Sequence, residues 1–556
     1  MQITHSRGSV YLFSVIMAFL SACGGGGGGT SAGVEPPANP VVGQEIRVSR
    51  TTAFPPGCEG VGSAGTLYAN AEVEPTVAVN PFNPNNIIGA WQASRWSNGG
   101  SQALATGVSN DGGLTWSARS VPFSRCTGGN AGNGGDYERA SDPWVAIAPD
   151  GVAVQIALAF NGAVLSAGSA SAILASRSVD GGNSWTPPAT LIRDGSAFFN
   201  DKGAITADKT DPRKFYVVWD RLESEDTGPT FFARSVNSGQ AWESARPIYQ
   251  PGARKQTLGN QIVILPDGNL VNYFTQIDTA ADGSLSAALG VVRSADKGDT
   301  WSQAYKVADL LPVGSKDPET GTKIRDGALL GAIAVSPGGE LFSVWQDARF
   351  TGGVRDGIVM SRSADGGVTW SSPARINNTP DVQAFTPTIR ILTDGTIGVS
   401  YFDLRSNTAD ARTLPTEYWL TRSLDGTNWR ETRITPTFDL ATAPFAGGFF
   451  LGDYQALAGT GNAFMPFYVR TNSAENLNRT DVFAILLNSM AGVAAERTVV
   501  SRGIARSLKM HETDPQANID AAFKRKVSAA ISTGLQQRSA KMRLFREDPT
   551  GPAADN

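Results

Sequence analysis

The chain has 556 residues, with 47 Lys and Arg against 51 Asp and Glu and only two histidines, His5 and His511. Removing a leader that contains Arg7 leaves 46 basic residues against 51 acidic ones, a net charge of −5, which argues against a nucleic-acid partner. The stretch between the two histidines has no imidazole at all. That excludes a Ser-His-Asp or Cys-His mechanism and a His-ligated zinc there, and leaves carboxylates, Tyr, Lys and Arg for any chemistry.

At the N-terminus, Arg7 precedes an apolar run from Val10 to Leu20 and the ending Leu20-Ser21-Ala22-Cys23. So short an apolar run reads as a secretory signal over residues 1–22, not as a membrane span. The ending resembles a bacterial lipobox, which implies cleavage before Cys23, lipidation of its thiol, and a bacterial cell-envelope location, on the outer membrane or cell surface and facing periplasm or exterior. An ordinary signal peptide is the alternative. Gly24 to Gly29 and the stretch to residue 44 read as a tether. The remaining cysteines, Cys58 and Cys126, form an even pair expected to be bridged in an exported chain.

From residue 45 to 490 one pattern recurs. Ser109 to Trp116 reads Ser-Asn-Asp-Gly-Gly-Leu-Thr-Trp and returns at Ser178–Trp185, Ser294–Trp301 and Ser363–Trp370; degenerate copies stand at Ser235–Trp242, with Asn237 for the Asp, and at Ser423–Trp429, one residue short. An Asp that accepts turn N–H groups, a Gly free to take positive φ and a covering Trp suit a tight hairpin. The spacing of the tryptophans suits four-stranded antiparallel blades. Seven turns separate strand-like pairs, from Asn80-Pro81 to Gly459–Asn462, but only six copies of the pattern occur. The expectation is an all-β, seven-bladed propeller, with six blades as the alternative. Glu45 to Ser49 is expected to complete the blade begun at Tyr454 and so protect both edges.

The eight-residue pattern resembles the Asp box of the bacterial sialidase-like propeller superfamily, over about residues 70 to 490. The resemblance implies a fold more firmly than an activity. Sialidases use an arginine triad, a Tyr nucleophile assisted by Glu, and an Asp acid/base. Asp453-Tyr454-Gln455-Ala456-Leu457 is similar to the segment that carries the Tyr, which makes Tyr454 the candidate nucleophile, with Asp142 and Glu138 as candidate acid/base groups. The opening Arg-Ile-Pro signature is missing, since Glu74-Pro75-Thr76-Val77 stands in its place.

The second strands end alike, with Arg95, Arg221, Arg349, Arg405 and Arg470 following an aromatic residue, and Asp347 and Asp403 between. Guanidinium groups converging on one opening would suit a carboxylate, sulfate or phosphate. The alternative is a salt-bridge ring in which Asp220, Asp347 and Asp403 pair with the arginines. Glu72, Glu74, Asp142, Asp326 and Asp453 start blades on the same face. The Gly-rich run Gly128 to Asp142 is a candidate for substrate contact, for Ca²⁺ through Asp136, or a plain surface loop. No other cofactor or metal is called for.

Residues 491–556 lose the strand pattern, and Ile519, Phe523, Val527 and Ile531 fall at helical spacing, with Lys524-Arg525-Lys526 on a solvated face or, alternatively, in a membrane or partner contact. The function expected is engagement of a glycan or other anionic ligand by a monomer attached to the membrane only through its lipid. Hydrolysis of that glycan, capture without cleavage, and an envelope scaffold all remain open.

Overall fold

The computed structural model describes residues 34–52, 54–60, 65–224, 226–472, 477–488 and 519–539. The leader and Cys23 lie outside the described residues, as does most of the segment that follows the last strand. Successive four-stranded antiparallel meanders form a ring, and one α-helix among the described residues, α1 (Ala521–Ser539), follows. The chain is a β-propeller. Its sheet pairing does not give seven separate blades: five sheets of four to six strands stand alone as blades. The strands from Leu67–Tyr68 to Ala189–Gly195 fuse instead into one nine-stranded sheet. The fusion has a local cause. Ser101 pairs with Ala140, and the Ser101 hydroxyl donates to the Ala140 carbonyl at 2.8 Å, so two neighbouring meanders share a ladder.

Ring closure uses the start of the chain. Ile46–Arg47 pairs antiparallel with Thr480–Ala484, placing Ile46 opposite Ala484, and Val41–Val42 pairs with Leu487–Asn488. Arg47 and Ser49 both bond to the Asp481 carboxylate, at 3.0 and 2.6 Å. Across the next junction Phe467 packs at 5.5 Å from Trp116 and 6.4 Å from Trp91. Gly89 makes this possible, since a Cβ there would sit 2.4 Å from the Phe467 ring.

The recurrent turns explain themselves chemically. In the first, Ser109 Oγ accepts from Gly113 N at 2.8 Å, Asp111 accepts from Thr115 N and Oγ1 at 2.9 and 2.6 Å, and Trp116 Nε1 donates to Gly113 O at 3.0 Å. The copies at Asp180, Asp296 and Asp365 repeat these bonds. In the degenerate copy Asn237 keeps the bond from Ala241 N at 2.9 Å, while the Trp242 N–H has no partner. In each copy the Ser and the Asp or Asn bond within their own turn, which is a folding role. The turns after the inner strands lie at the same face, where Gly112 N donates to Asn85 O at 3.0 Å.

Helix α1 crosses the opposite, upper face. Phe523, Val527 and Ile531 bury one stripe against the strands around Leu285–Ser294 and Leu341–Asp347. Lys524, Arg525 and Lys526 face solvent. Gly353 and Gly534 let the helix close on the ring, since a Cβ at either would fall within 2.8 Å of Phe523 or Leu329. At the start of a strand the Ser528 hydroxyl accepts from Leu285 N at 2.9 Å, and Lys526 Nζ donates to Gly353 O at 2.9 Å. No described helix is long and apolar enough to cross a membrane.

Candidate functional site

Five inner strands carry the same irregularity. Their register slips between Val73 and Thr76, Ser141 and Trp144, Asp201 and Ala204, Leu258 and Gln261, and Phe385 and Thr388. Each slip is a β-bulge whose first residue has left-handed φ: Glu74 at 54°, Asp142 at 49°, Lys202 at 49°, Gly259 at 67° and Thr386 at 52°. Three of these residues precede a proline, Pro75, Pro143 and Pro387, which needs no ladder N–H. A non-glycine residue in this region costs about 1–2 kcal/mol. Three of the strained positions, Glu74, Asp142 and Lys202, are charged residues that meet at one point.

Lys202 is the centre of that meeting. Its ammonium lies 2.6 Å from Asp453, 3.2 Å from Asp142 and 3.5 Å from Glu74. Arg325 donates twice to Asp453, at 2.8 and 2.6 Å. A two-stranded parallel pairing of Ile324–Arg325 with Phe449–Phe450 delivers Arg325, and Gly327 packs so tightly on the Asp453 carbonyl that a Cβ would stand 2.1 Å from it. Phe450 lies between two guanidinium groups, Arg325 at 4.4 Å and Arg95 at 4.8 Å. Gln92 joins the halves, bonding Glu74 and, at 2.6 Å, Arg95. Three carboxylates thus face three cations, all buried.

The fields follow from this packing. Burial raises Glu74 to about 7, with Lys202 opposing and Asp142 and Asp453 adding to the rise. For Asp453 burial is overcome by Arg325 and Lys202, which hold it well below the carboxylate range. Burial also lowers Arg95 to about 10, helped by Arg325.

Of the sequence candidates, the structure brings Asp142, Tyr454 and Arg95 to this hub. The surroundings of Tyr454 are a backbone carbonyl, an aromatic ring and the hub's charges. Its hydroxyl donates to the Pro143 carbonyl at 3.3 Å, its ring packs 5.6 Å from Trp144, and burial with the carboxylates of Glu74, Asp142, Asp453 and Asp201 pushes its pKa well up. Glu138 lies elsewhere and accepts from Gly162 N at 2.9 Å in a surface turn.

The Arg-lined opening is corrected. Arg221 bonds Asp194 at 2.7 and 2.9 Å, Arg349 bonds Asp347 at 2.9 Å, Arg405 bonds Asp403 at 2.6 Å and Glu431 at 3.0 Å, and Arg470 bonds Glu45 at 2.9 and 2.6 Å. The physical reason recurs: the guanidinium folds onto the aromatic of the adjoining strand, Phe231 for Arg221, Trp419 for Arg405 and Phe483 for Arg470, and meets a carboxylate there. Asp347 and Asp403 are their partners, not ligand groups. Cys58 and Cys126 are disulfide-bonded, with Cα atoms 4.9 Å apart, and Asp136 pairs with Arg125 at 2.6 Å.

Sequence reasoning missed Lys202, Arg325 and Gln92. Lys202 stands where Asp142 stands one blade earlier, and that alignment was the available signal.

Two cavities meet at the hub. The upper one, about 410 Å³, is bounded by Lys202, Arg325, Asp326 and Asp453 below and by Ala530, Thr533, Gly534 and Gln537 of α1 above, with Lys316, Lys323 and Lys526 at its rim. Among the described residues no carboxylate pairs with Lys316 or Lys323. The lower one, about 610 Å³, runs between the inner strands toward the face of the recurrent turns.

No family model and no curated protein matches the chain. Among solved structures it is similar to a protein of unknown function from Dyadobacter fermentans (14% identity, 77% of this chain and 98% of that one, TM-score 0.42). A Hadza microbial sialidase is also similar (16%, 71% and 75%, TM-score 0.41), as is the α-L-arabinanase of Penicillium chrysogenum (12%, 76% and 97%, TM-score 0.40). At this level of likeness the function has to be argued from the site itself.

Proposed function

We propose that the chain is an exported, lipid-anchored propeller of the sialidase-like Asp-box kind that captures an acidic glycan in the upper cavity. The observation that carries the reading is the charge of that cavity: Lys316, Lys323 and Lys526 ring its mouth while Asp453 at its floor is already neutralised by Lys202 and Arg325. An anionic group entering it finds the ammonium groups of Lys316 and Lys323, which no described carboxylate pairs, at the rim and a fixed guanidinium below. Monomeric capture at the cell envelope through Cys23 completes the reading, and it requires no metal.

Capture is favoured over hydrolysis because Tyr454 bonds a carbonyl instead of a carboxylate. One observation speaks for hydrolysis. Asp326 and Asp453 share the cavity with opposite tendencies, burial raising Asp326 and the two cations holding Asp453 ionised, as an acid and a carboxylate would be.

Titration with 3′-sialyllactose and with lactose separates the cases. The acidic trisaccharide should bind and lactose should not, and Lys316→Ala with Lys323→Ala should weaken binding at least tenfold and flatten its salt dependence. Equal binding of both sugars removes the proposal. Release of free sugar by the wild type but not by Asp326→Asn would move the reading to hydrolysis.

A further inference from the structure

The lower cavity carries two cations that the hub does not use. Lys209 and Arg390 extend into it near the face of the recurrent turns, and among the described residues neither makes a hydrogen bond or ion pair. The neighbouring acid is engaged elsewhere: Asp208 binds Lys297 at 3.0 Å, Tyr216 at 2.8 Å and Thr210 at 2.7 and 2.8 Å. Arg390 runs along bare Gly459, where a Cβ would lie 3.4 Å from its Nε. The carboxylates that do border the cavity, Asp142 and Asp453, stand at its upper end and are held by Lys202 and Arg325.

Above the two cations the walls are apolar, including Val79, Ile147, Ile205, Ile333, Ile389 and Leu457. Polar side chains in the wall turn back into the protein, Thr206 to Ile262 O at 2.7 Å and Gln261 to Gly331 O at 3.0 Å. Phe82, 78% exposed, stands at the mouth.

We propose that this lower channel is a second ligand site, which takes an amphiphilic anion head-outward: a carboxylate or sulfonate paired with Lys209 and Arg390, and a hydrocarbon or aromatic body against the aliphatic walls. Lys209 and Arg390 are both exposed, and two like charges at the mouth of one apolar channel repel each other, a repulsion that a bound anion relieves. A cavity of about 610 Å³ is within the range that holds a small organic ligand. The site lies on the far side of the hub from the glycan cavity and does not depend on that reading.

The test uses the full chain with two probes, 8-anilino-1-naphthalenesulfonate and dodecanoate. One equivalent of the dye should bind with a rise in emission, dodecanoate should displace it, and inorganic sulfate at the same concentration should not. Lys209→Met and Arg390→Met should each weaken the dye at least tenfold without lowering the melting temperature. Thr388→Trp, which fills the channel and keeps both cations, should abolish one-to-one binding. Undiminished binding by the Lys209→Met/Arg390→Met protein overturns the proposal, as does undiminished binding by a folded Thr388→Trp protein. Competition by sulfate as strong as by dodecanoate would also overturn it, since the apolar body would then contribute nothing.

Discussion

Arg325 donates an N–H to the carbonyl of Gln537 at 3.1 Å, in the last turn of α1, while its other donors hold Asp453. The final carbonyls of a helix lack intrahelical partners and carry its negative end, so this contact suits a cation. It also places a protein oxygen where the acidic group of a ligand would approach Arg325. Gln537 Nε2 fastens the same turn to Gly447 O at 3.0 Å.

The helix should therefore compete with ligand. Ile531 is fully buried on the inward stripe of α1, and Ile531→Asp should undock the helix instead of burying a charge, whose cost is several kcal/mol. Trypsin should then cleave at Lys524–Lys526 at least tenfold faster, with the ring intact by circular dichroism, and an acidic glycan should bind more tightly. Unchanged cleavage would make the helix a fixed wall.

Removing the central ammonium should be costly. Lys202→Met leaves Glu74, Asp142 and part of Asp453 without their shared partner, and breaking a buried ion pair from one side costs about 3–5 kcal/mol. Chemical denaturation should show a loss of this order. Adding Glu74→Gln should recover part of it, because the group least inclined to ionise is then neutral.

Asp356 sets a pH dependence. Burial and the adjacent Asp326 raise it to about 7, with two backbone N–H bonds opposing. A carboxyl whose folded pKa lies above its unfolded value of 3.8 binds more protons when folded, so it disfavours folding as pH rises from about 4 to 7. The slope is at most about 1.4 kcal/mol per pH unit. Asp356→Asn should flatten the fall in melting temperature across that window. An unchanged profile would assign the dependence to another group.

Gly89→Ala should loosen the junction between the Phe467 sheet and the Ile87–Trp96 strand. The added methyl meets a ring with no room to move, and overpacking of this kind costs about 1–3 kcal/mol. Denaturant midpoints for Gly89→Ala and the double variant Gly89→Ala/Phe467→Leu check this, and the second should be the milder.

The recurrent turns, the ring and the helical stripe Phe523-Val527-Ile531 were legible because each is a local rule written in adjacent residues. The hub was half legible. Glu74, Asp142 and Asp453 stood out at strand starts, but Lys202 and Asp453 are 251 positions apart, and only closure of the ring makes them neighbours. The arginines misled for the opposite reason. Their spacing after an aromatic is a strong repeat, yet the spacing encodes stacking and an ion pair within the ring wall, and a repeat reports packing as readily as function. Blade number depends on hydrogen bonds such as Ser101 to Ala140, which no periodicity marks.

Ser49 bonds Asp481 across 432 positions, and this gives the fold an order in time. At a synthesis rate of about 5–20 residues per second, roughly 20 to 90 s pass between the emergence of the two. For that interval Ile46–Arg47 has no strand to join, and every blade completed meanwhile keeps an open edge at each end of the growing arc. The first strands of the described residues are thus the last to be paired, and whatever holds that edge unpaired until residue 488 has emerged decides between a closed ring and one joined to a neighbour's.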